Sequence, residues 1–190
     1  MPKRDPQHMA AQRERIVRSA IQSISERGVE GTSIARICKL SQLSAGAIYV
    51  HFQNKEEILA EALRYGSVTA LDLPDDWPAL RAMILSLDDQ MGFDILTVVR
   101  TRLHLQAESV HPGALHEQYR AMADAALQLL AQKLQAMMDN GSVKLRMTPL
   151  RTAFAINALI NGMLSTGLAT DRPLDELRAD LAAALDCFVA

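Results

Sequence analysis

At 190 residues, with 49% hydrophobic residues, a mean hydropathy of +0.02 and a formal charge of −2, the chain is too apolar to be disordered and long enough for one large core or two small ones. Aromatic residues make up only 4%, while Leu, Ala and Met abound, which favours helices over sheets. The charge is uneven: nine Lys and Arg stand against four Asp and Glu up to residue 55, and eleven against eighteen beyond it. A basic head on an acidic body suits a reader of nucleic acid joined to a separate regulatory part, because only the head needs cations for phosphate.

Residues 1 to about 11 are polar and contain Pro2 and Pro6, which predicts an arm whose Lys3 and Arg4 could enter a minor groove. A first helix follows, with Ile16, Val17, Ala20, Ile21 and Ile24 on one face, and it ends at Arg27–Gly28. Cys38 lies on the next apolar face and Cys187 beside Phe188; both read as small hydrophobes rather than a disulfide. The opening MPKRDPQHMAAQRER has no apolar run of a secretory signal, so a cytoplasmic location is expected.

The stretch Thr32–Lys55, TSIARICKLSQLSAGAIYVHFQNK, asks for a specific partner. Ile34, Ile37 and Cys38 form an apolar face at helical spacing, SQLS breaks it, and Ala47, Ile48 and Phe52 begin another. Ser44 is a good N-cap for a second helix, Ala45–Phe52, and Ala45, Gly46 and Ala47 are small enough to let its start approach a groove. Two short helices joined by a tight turn make a helix-turn-helix, whose second helix enters the DNA major groove.

With its flanks, this stretch resembles the N-terminal domain of the tetracycline-repressor (TetR) family of bacterial transcriptional regulators. The resemblance is carried by Gly28, Thr32–Ser33, Ser44-x-Gly46, Tyr49-x-His51-Phe52 and Lys55-Glu56-Glu57, over roughly the first third of the chain. It implies an all-α protein with a three-helix DNA-binding domain, residues 1–54, and a helical ligand-binding and dimerisation domain, residues 55–190. It further implies that Thr32, Ser33, Tyr49, His51 and Lys55 contact phosphate, while Gln42, Ser44, Ala45, Gly46 and Ala47 lie where base edges are approached. Two departures stand out. Gln42 occupies a turn position usually held by Gly, at a cost of about 1 kcal/mol if φ is positive there. Ala45 and Val50 replace residues that are often polar or basic, which shifts recognition towards thymine methyls or DNA shape.

Asn54 and the acids Glu56 and Glu57 open a fourth helix with Ile58, Leu59, Ala62 and Leu63 facing inward, running to about Gly66. LDLPDDWP is the clearest break in the chain. Helical segments are expected near 77–90 and 93–110. A long amphipathic helix then carries Leu115, Tyr119, Met122, Leu130, Leu134 and Met137 and stops at Asn140–Gly141. GSVKLRM reads as a loop, since a lone strand would lack a partner. Between Arg151 and Asp171 there is no charge, yet Asn157, Asn161, Gly162, Ser165, Thr166 and Gly167 dilute the apolar run, so it reads as a helix buried on most sides rather than a membrane span. The last helix, from Pro173, sets Leu174, Leu177, Leu181, Leu185 and Phe188 on one seam. Two such helices offer more surface than one subunit covers, and in the resembling family the last two helices form the dimer interface.

No GxSxG, HExxH, phosphate-binding glycine loop or CxxC is present, and no enzyme or cofactor is expected. His104, His111 and His116 with Glu108 and Glu117 have no common metal spacing and read as surface groups on two helix ends. The resemblance implies a pocket for a small inducer. Its candidate lining is Arg100, His104, Gln106, Tyr119, Met122, Asn157 and Asn161, with Met83, Met91 and Met163 as adaptable apolar filling that core packing explains equally well. The reading is a ligand-responsive, homodimeric DNA-binding regulator, a repressor released from a palindromic operator. The alternative is a cytoplasmic all-α ligand-binding module or enzyme whose head is only structural.

Overall fold

A computed structural model describes residues 5–65, 72–86 and 92–190. Nine helices are found among them: α1 (Pro6–Arg27), α2 (Ile34–Ser41), α3 (Ala45–Tyr49), α4 (Lys55–Arg64), α5 (Trp77–Leu85), α6 (Ile95–Glu108), α7 (Ala114–Asp139), α8 (Pro149–Ala169) and α9 (Leu174–Asp186). The chain divides into two compact units. The first holds residues 1–65 and 97–120, the second residues 66–96 and 121–190.

In the first unit α1 is the spine. The side chain of Asp5 accepts from the Gln7 N–H, Pro6 sits at the first helical position, and a left-handed Gly28 (φ 72°) ends the helix. The expected arm is therefore shorter than read, because residues 6–11 already belong to α1; Lys3 and Arg4 lie outside the described residues. The inward stripe Ile16, Val17, Ala20, Ile21 and Ile24 is buried, and α2 and α4 pack against α1. α6 belongs here too: Thr101 donates its hydroxyl to the Ile21 carbonyl at 3.2 Å, and the His104 ring lies 3.3 Å from where a Cβ on Gly28 would stand.

The second unit packs α5, most of α7, α8 and α9 around Leu73, Trp77, Leu80, Leu130, Leu134, Met137, Ala153, Ile156, Leu181 and Leu185. α5 and α9 are clasped by Arg81, which grips Asp186 through two bonds of 2.7 and 2.9 Å, and by Arg178, which donates to the Leu85 carbonyl. α8 meets α9 closely at Gly167, where a Cβ would lie 2.3 Å from a methyl of Leu177. Two readings need correction. GSVKLRM is irregular but not unpartnered: Leu145 bridges Val189, Arg146 N–H donates to the Phe188 carbonyl, and Ala190 N–H to the Lys144 carbonyl. α8 is not buried on most sides of this chain. Thr152, Ala153, Ile156, Leu164 and Gly167 face in, but Leu150, Phe154, Asn157, Ala158 and Gly162 are exposed, Phe154 at 62%. By length and composition alone α8 could cross a membrane. The ends of the segments expected at 77–90 and beyond Arg64, together with Met91, lie outside the described residues.

Candidate nucleic-acid interface

Local chemistry sets each boundary of the helix-turn-helix. Ser33 caps α2 by accepting from the Arg36 N–H at 3.2 Å, and Ser44 caps α3 by accepting from the Ala47 N–H at 3.2 Å. Between them the chain reverses at Gln42, which ends α2 in the left-handed region at φ 55°, ψ 32°. The positive φ expected of this position is present, on a residue with a Cβ. α3 is shorter than expected, ending at Tyr49; the His51 and Phe52 N–H groups both turn back to the Ile48 carbonyl. Ile48 and Phe52 are fully buried and anchor this segment from beneath.

The surface left outward carries most of the expected contact residues. Ser33, Gln42, Ser44, Ala45, Gly46 and Tyr49 are exposed, and Ala47, His51 and Lys55 are half-buried. Thr32 is the exception. It is 1% exposed, its hydroxyl donates to the Gly28 carbonyl at 2.8 Å and lies 2.9 Å from the Ser23 hydroxyl. So enclosed a hydroxyl cannot reach a phosphate; Thr32 ties the α1–α2 loop, and its expected phosphate contact is withdrawn. Lys55 is half-buried and partly committed, since its ammonium donates to the Val29 carbonyl at 2.8 Å. An ammonium has three donors, so two remain. His51 Nε2 lies 3.2 Å from Gln12 Oε1.

Arg13 and Arg15, both on α1, were not singled out by the sequence pattern. Arg13 stacks over the Phe52 ring at 4.2 Å, donates to the His51 carbonyl at 2.9 Å and to Glu61 of α4 at 3.1 Å, bracing the end of the recognition segment. Glu61 also meets Arg64. Burial opposes ionisation of Glu61, but the bonds and charges of Arg64 and Arg13 outweigh it and hold the carboxyl below its ordinary value. Arg15 reaches the turn itself, donating to Gln42 Oε1 at 3.2 Å. Nothing in the spacing of α1 distinguishes these two arginines from solvated ones.

The residues expected to line an inducer pocket are not gathered into one site within either unit. In the first, Arg100, His104 and Gln106 are exposed on α6 and Tyr119 is half-buried; in the second are Met122 and the α8 pair Asn157 and Asn161, whose side chains bond each other at 3.1 Å. A groove of about 590 Å³ in the second unit is lined instead by Asp124, Leu127, Gln128, Met147, Leu150, Arg151, Phe154 and Ala155. Of the histidines, His116 directs Nδ1 to the Ser109 carbonyl at 2.8 Å. No group of three metal-ligating side chains comes together among the described residues.

The described residues thus form an all-α chain whose first unit contains a helix-turn-helix with capped helices, a buried anchor and a small-residue outer face. Residues 16–62 match the family model for bacterial regulatory proteins of the tetR family, and this segment is similar to the DNA-binding domain of that family. The uncharacterised HTH-type transcriptional regulator YerO of Bacillus subtilis is 35% identical over 57 residues, which cover 30% of this chain and 20% of that protein. The matched stretch thus spans a fifth of that relative's length. The fold of the whole chain is similar to that of a protein from Saccharomonospora viridis described as a transcriptional regulator and solved with choline. There the TM-score is 0.75 at 23% identity, over 95% of this chain and 99% of that one. It is also similar to the transcriptional regulator FadR of Bacillus subtilis solved with stearoyl-CoA (TM-score 0.70, 20% identity, 90% and 96% of the two chains). At these identities the likeness concerns the fold.

Proposed function

We propose that the chain is a ligand-responsive transcriptional regulator that binds double-stranded DNA as a homodimer and acts as a repressor in the cytoplasm, released from a palindromic operator by a small molecule. The observation that carries this reading is the outward face Gln42, Ser44, Ala45, Gly46 and Tyr49, uncharged and sterically open, on a head with an excess of basic residues. No Arg or Lys lies between residues 42 and 48, so cations elsewhere on the head would supply phosphate affinity while the small residues allow close approach to base edges. In a dimer two such faces about 34–36 Å apart meet successive major grooves.

The dimer is assigned to α8 and α9. Its support is the exposed side of α8, where Phe154, Asn157, Ala158 and Gly162 present little charge to solvent, as a surface awaiting a partner does. A small-molecule inducer is supported by the two neighbours of the same fold that were solved with choline and with stearoyl-CoA. The functional division between residues 1–54 and 55–190 follows from assigning DNA contact to the helix-turn-helix and all else to regulation.

The test begins with selection of a duplex from a random-sequence pool by the purified protein, and of a small molecule by thermal shift against a metabolite panel. The selected ligand should weaken binding to the selected duplex, and by linkage the duplex should weaken the ligand by the same factor, within about 5- to 150-fold. Enrichment of no sequence would remove the DNA-binding reading. Equal ligand affinity with and without the duplex would remove the regulatory one.

A further inference from the structure

Between residues 42 and 48 only Gln42 and Ser44 have polar side chains, and the Ser44 oxygen already accepts from the Ala47 N–H. Gln42 is therefore the one long polar side chain between residues 42 and 48, with the Tyr49 phenol beyond it, and its local setting has two unusual features. Its backbone is left-handed, so its Cβ leaves the turn at an angle no right-handed residue there would give. Its carboxamide is also held from the next element, by Arg15 of α1 at 3.2 Å.

A guanidinium has only donors, so the Gln42 atom facing it must be the oxygen, and the amide orientation is fixed by chemistry. The NH₂ arm is then turned away from Arg15, with no partner among the described residues. A glutamine with both arms free reads adenine by donating to N7 while accepting from N6. Here the oxygen is engaged, and the adjacent positive charge repels a second donor. What remains is a pair of N–H donors.

Resting on the DNA-binding reading above, we propose that Arg15 is a positioning residue that turns Gln42 into a dedicated hydrogen-bond donor, which recognises an acceptor on DNA. That acceptor is either a base edge, such as guanine N7 and O6 or thymine O4, or a phosphate oxygen. The assignment gives this head, which has no Arg or Lys between residues 42 and 48, a polar contact set by the first helix rather than by the recognition helix.

The test is a double-mutant cycle of Arg15→Met and Gln42→Met, measured on the duplex that the wild type selects from a random pool and on a shuffled duplex of equal length. Both side chains are exposed, so the variants should melt as the wild type does. Gln42→Met should weaken binding about fivefold or more per protomer. Arg15→Met should weaken it in the wild type by more than in the Gln42→Met background, because the positioning role disappears with its object while the lost positive charge counts equally in both. If the acceptor is on a base, Gln42→Met spares the shuffled duplex and a repeat selection loses preference at one position per half-site. If it is a phosphate, both duplexes weaken by the same factor and the selected sequence is unchanged. Unaltered affinity of Gln42→Met for both duplexes, or losses that multiply independently around the cycle, would overturn the inference while leaving the DNA-binding reading in place. Failure of the wild type to select any sequence would sink both.

Discussion

Gln42 joins a backbone requirement to a recognition role, and the two can be separated. A Cβ in the left-handed region costs about 1–2 kcal/mol, and Gly gives back roughly 0.5–1 kcal/mol of that through its freer unfolded chain. Gln42→Gly should therefore raise stability by about 0.5–1 kcal/mol in denaturant melts while lowering affinity for the selected duplex. A destabilised variant would mean that the Arg15 bond matters to the fold more than the turn geometry does. The positive φ at Gln42 was legible through the family resemblance, which places a residue with a Cβ where Gly usually stands. The arrangement of Thr32 and Ser33 was not, since either hydroxyl could cap α2; Ser33 does so, while Thr32 turns back to Gly28 at helical spacing. Nor could spacing say that Arg13 and Arg15 find partners, because those partners lie 27 to 48 residues away.

Among elements, those with strong periodicity and caps were readable, and the misreadings have local causes. Asp5-Pro6 is itself a helix-start signal, a capping carboxylate before a proline at the first position, and it outweighs the polarity that suggested an arm. The pairing of Leu145 with Val189 depends on the chain's last residues returning to the α7–α8 connection, which no local window contains. Two tests belong at this scale. Glu61 is held ionised by Arg64 and Arg13, so its folded-state pKa lies below the ordinary 4.5. The stability it contributes is fully present above that ordinary value and is lost as pH falls through the lower folded-state one. Glu61→Gln should flatten this part of the stability–pH curve, and an unchanged acid limb would show that the bridge does not contribute. At the α8–α9 contact, Gly167→Ala places a methyl against the buried Leu177 and should cost about 1–3 kcal/mol in thermal or urea melts. An unshifted midpoint would show that Leu177 yields freely.

For the whole molecule, the sequence supplied the layout of a head and a body, but the compact units cut the chain differently, at 65/66, 96/97 and 120/121. The described length of α4 and residues 97–108 of α6 both lie in the unit that contains the helix-turn-helix, so a shift of either acts directly on the reading head. Inducer residues could not be read from polar positions in apolar helices, because such positions also arise where helices face solvent, as Arg100, His104 and Gln106 do. The exposed side of α8 invites a separate test. A Cβ at Gly162 would meet nothing within 4 Å, so Gly162→Arg should leave the protomer folded yet bury an unpaired charge in the proposed dimer. Light scattering should find monomers at micromolar concentration, whereas an intact dimer would move the interface elsewhere.

A basic head that reads DNA through a small, uncharged face is tested by measuring affinity for the selected and shuffled duplexes across a salt series. The selected duplex should bind more tightly at every salt concentration, with log K falling against log salt by about 0.9 per neutralised phosphate on both. Ala45→Glu, on the exposed face, should erase the preference without unfolding the chain. Equal binding to both duplexes, or an affinity indifferent to salt, would contradict this mode of binding.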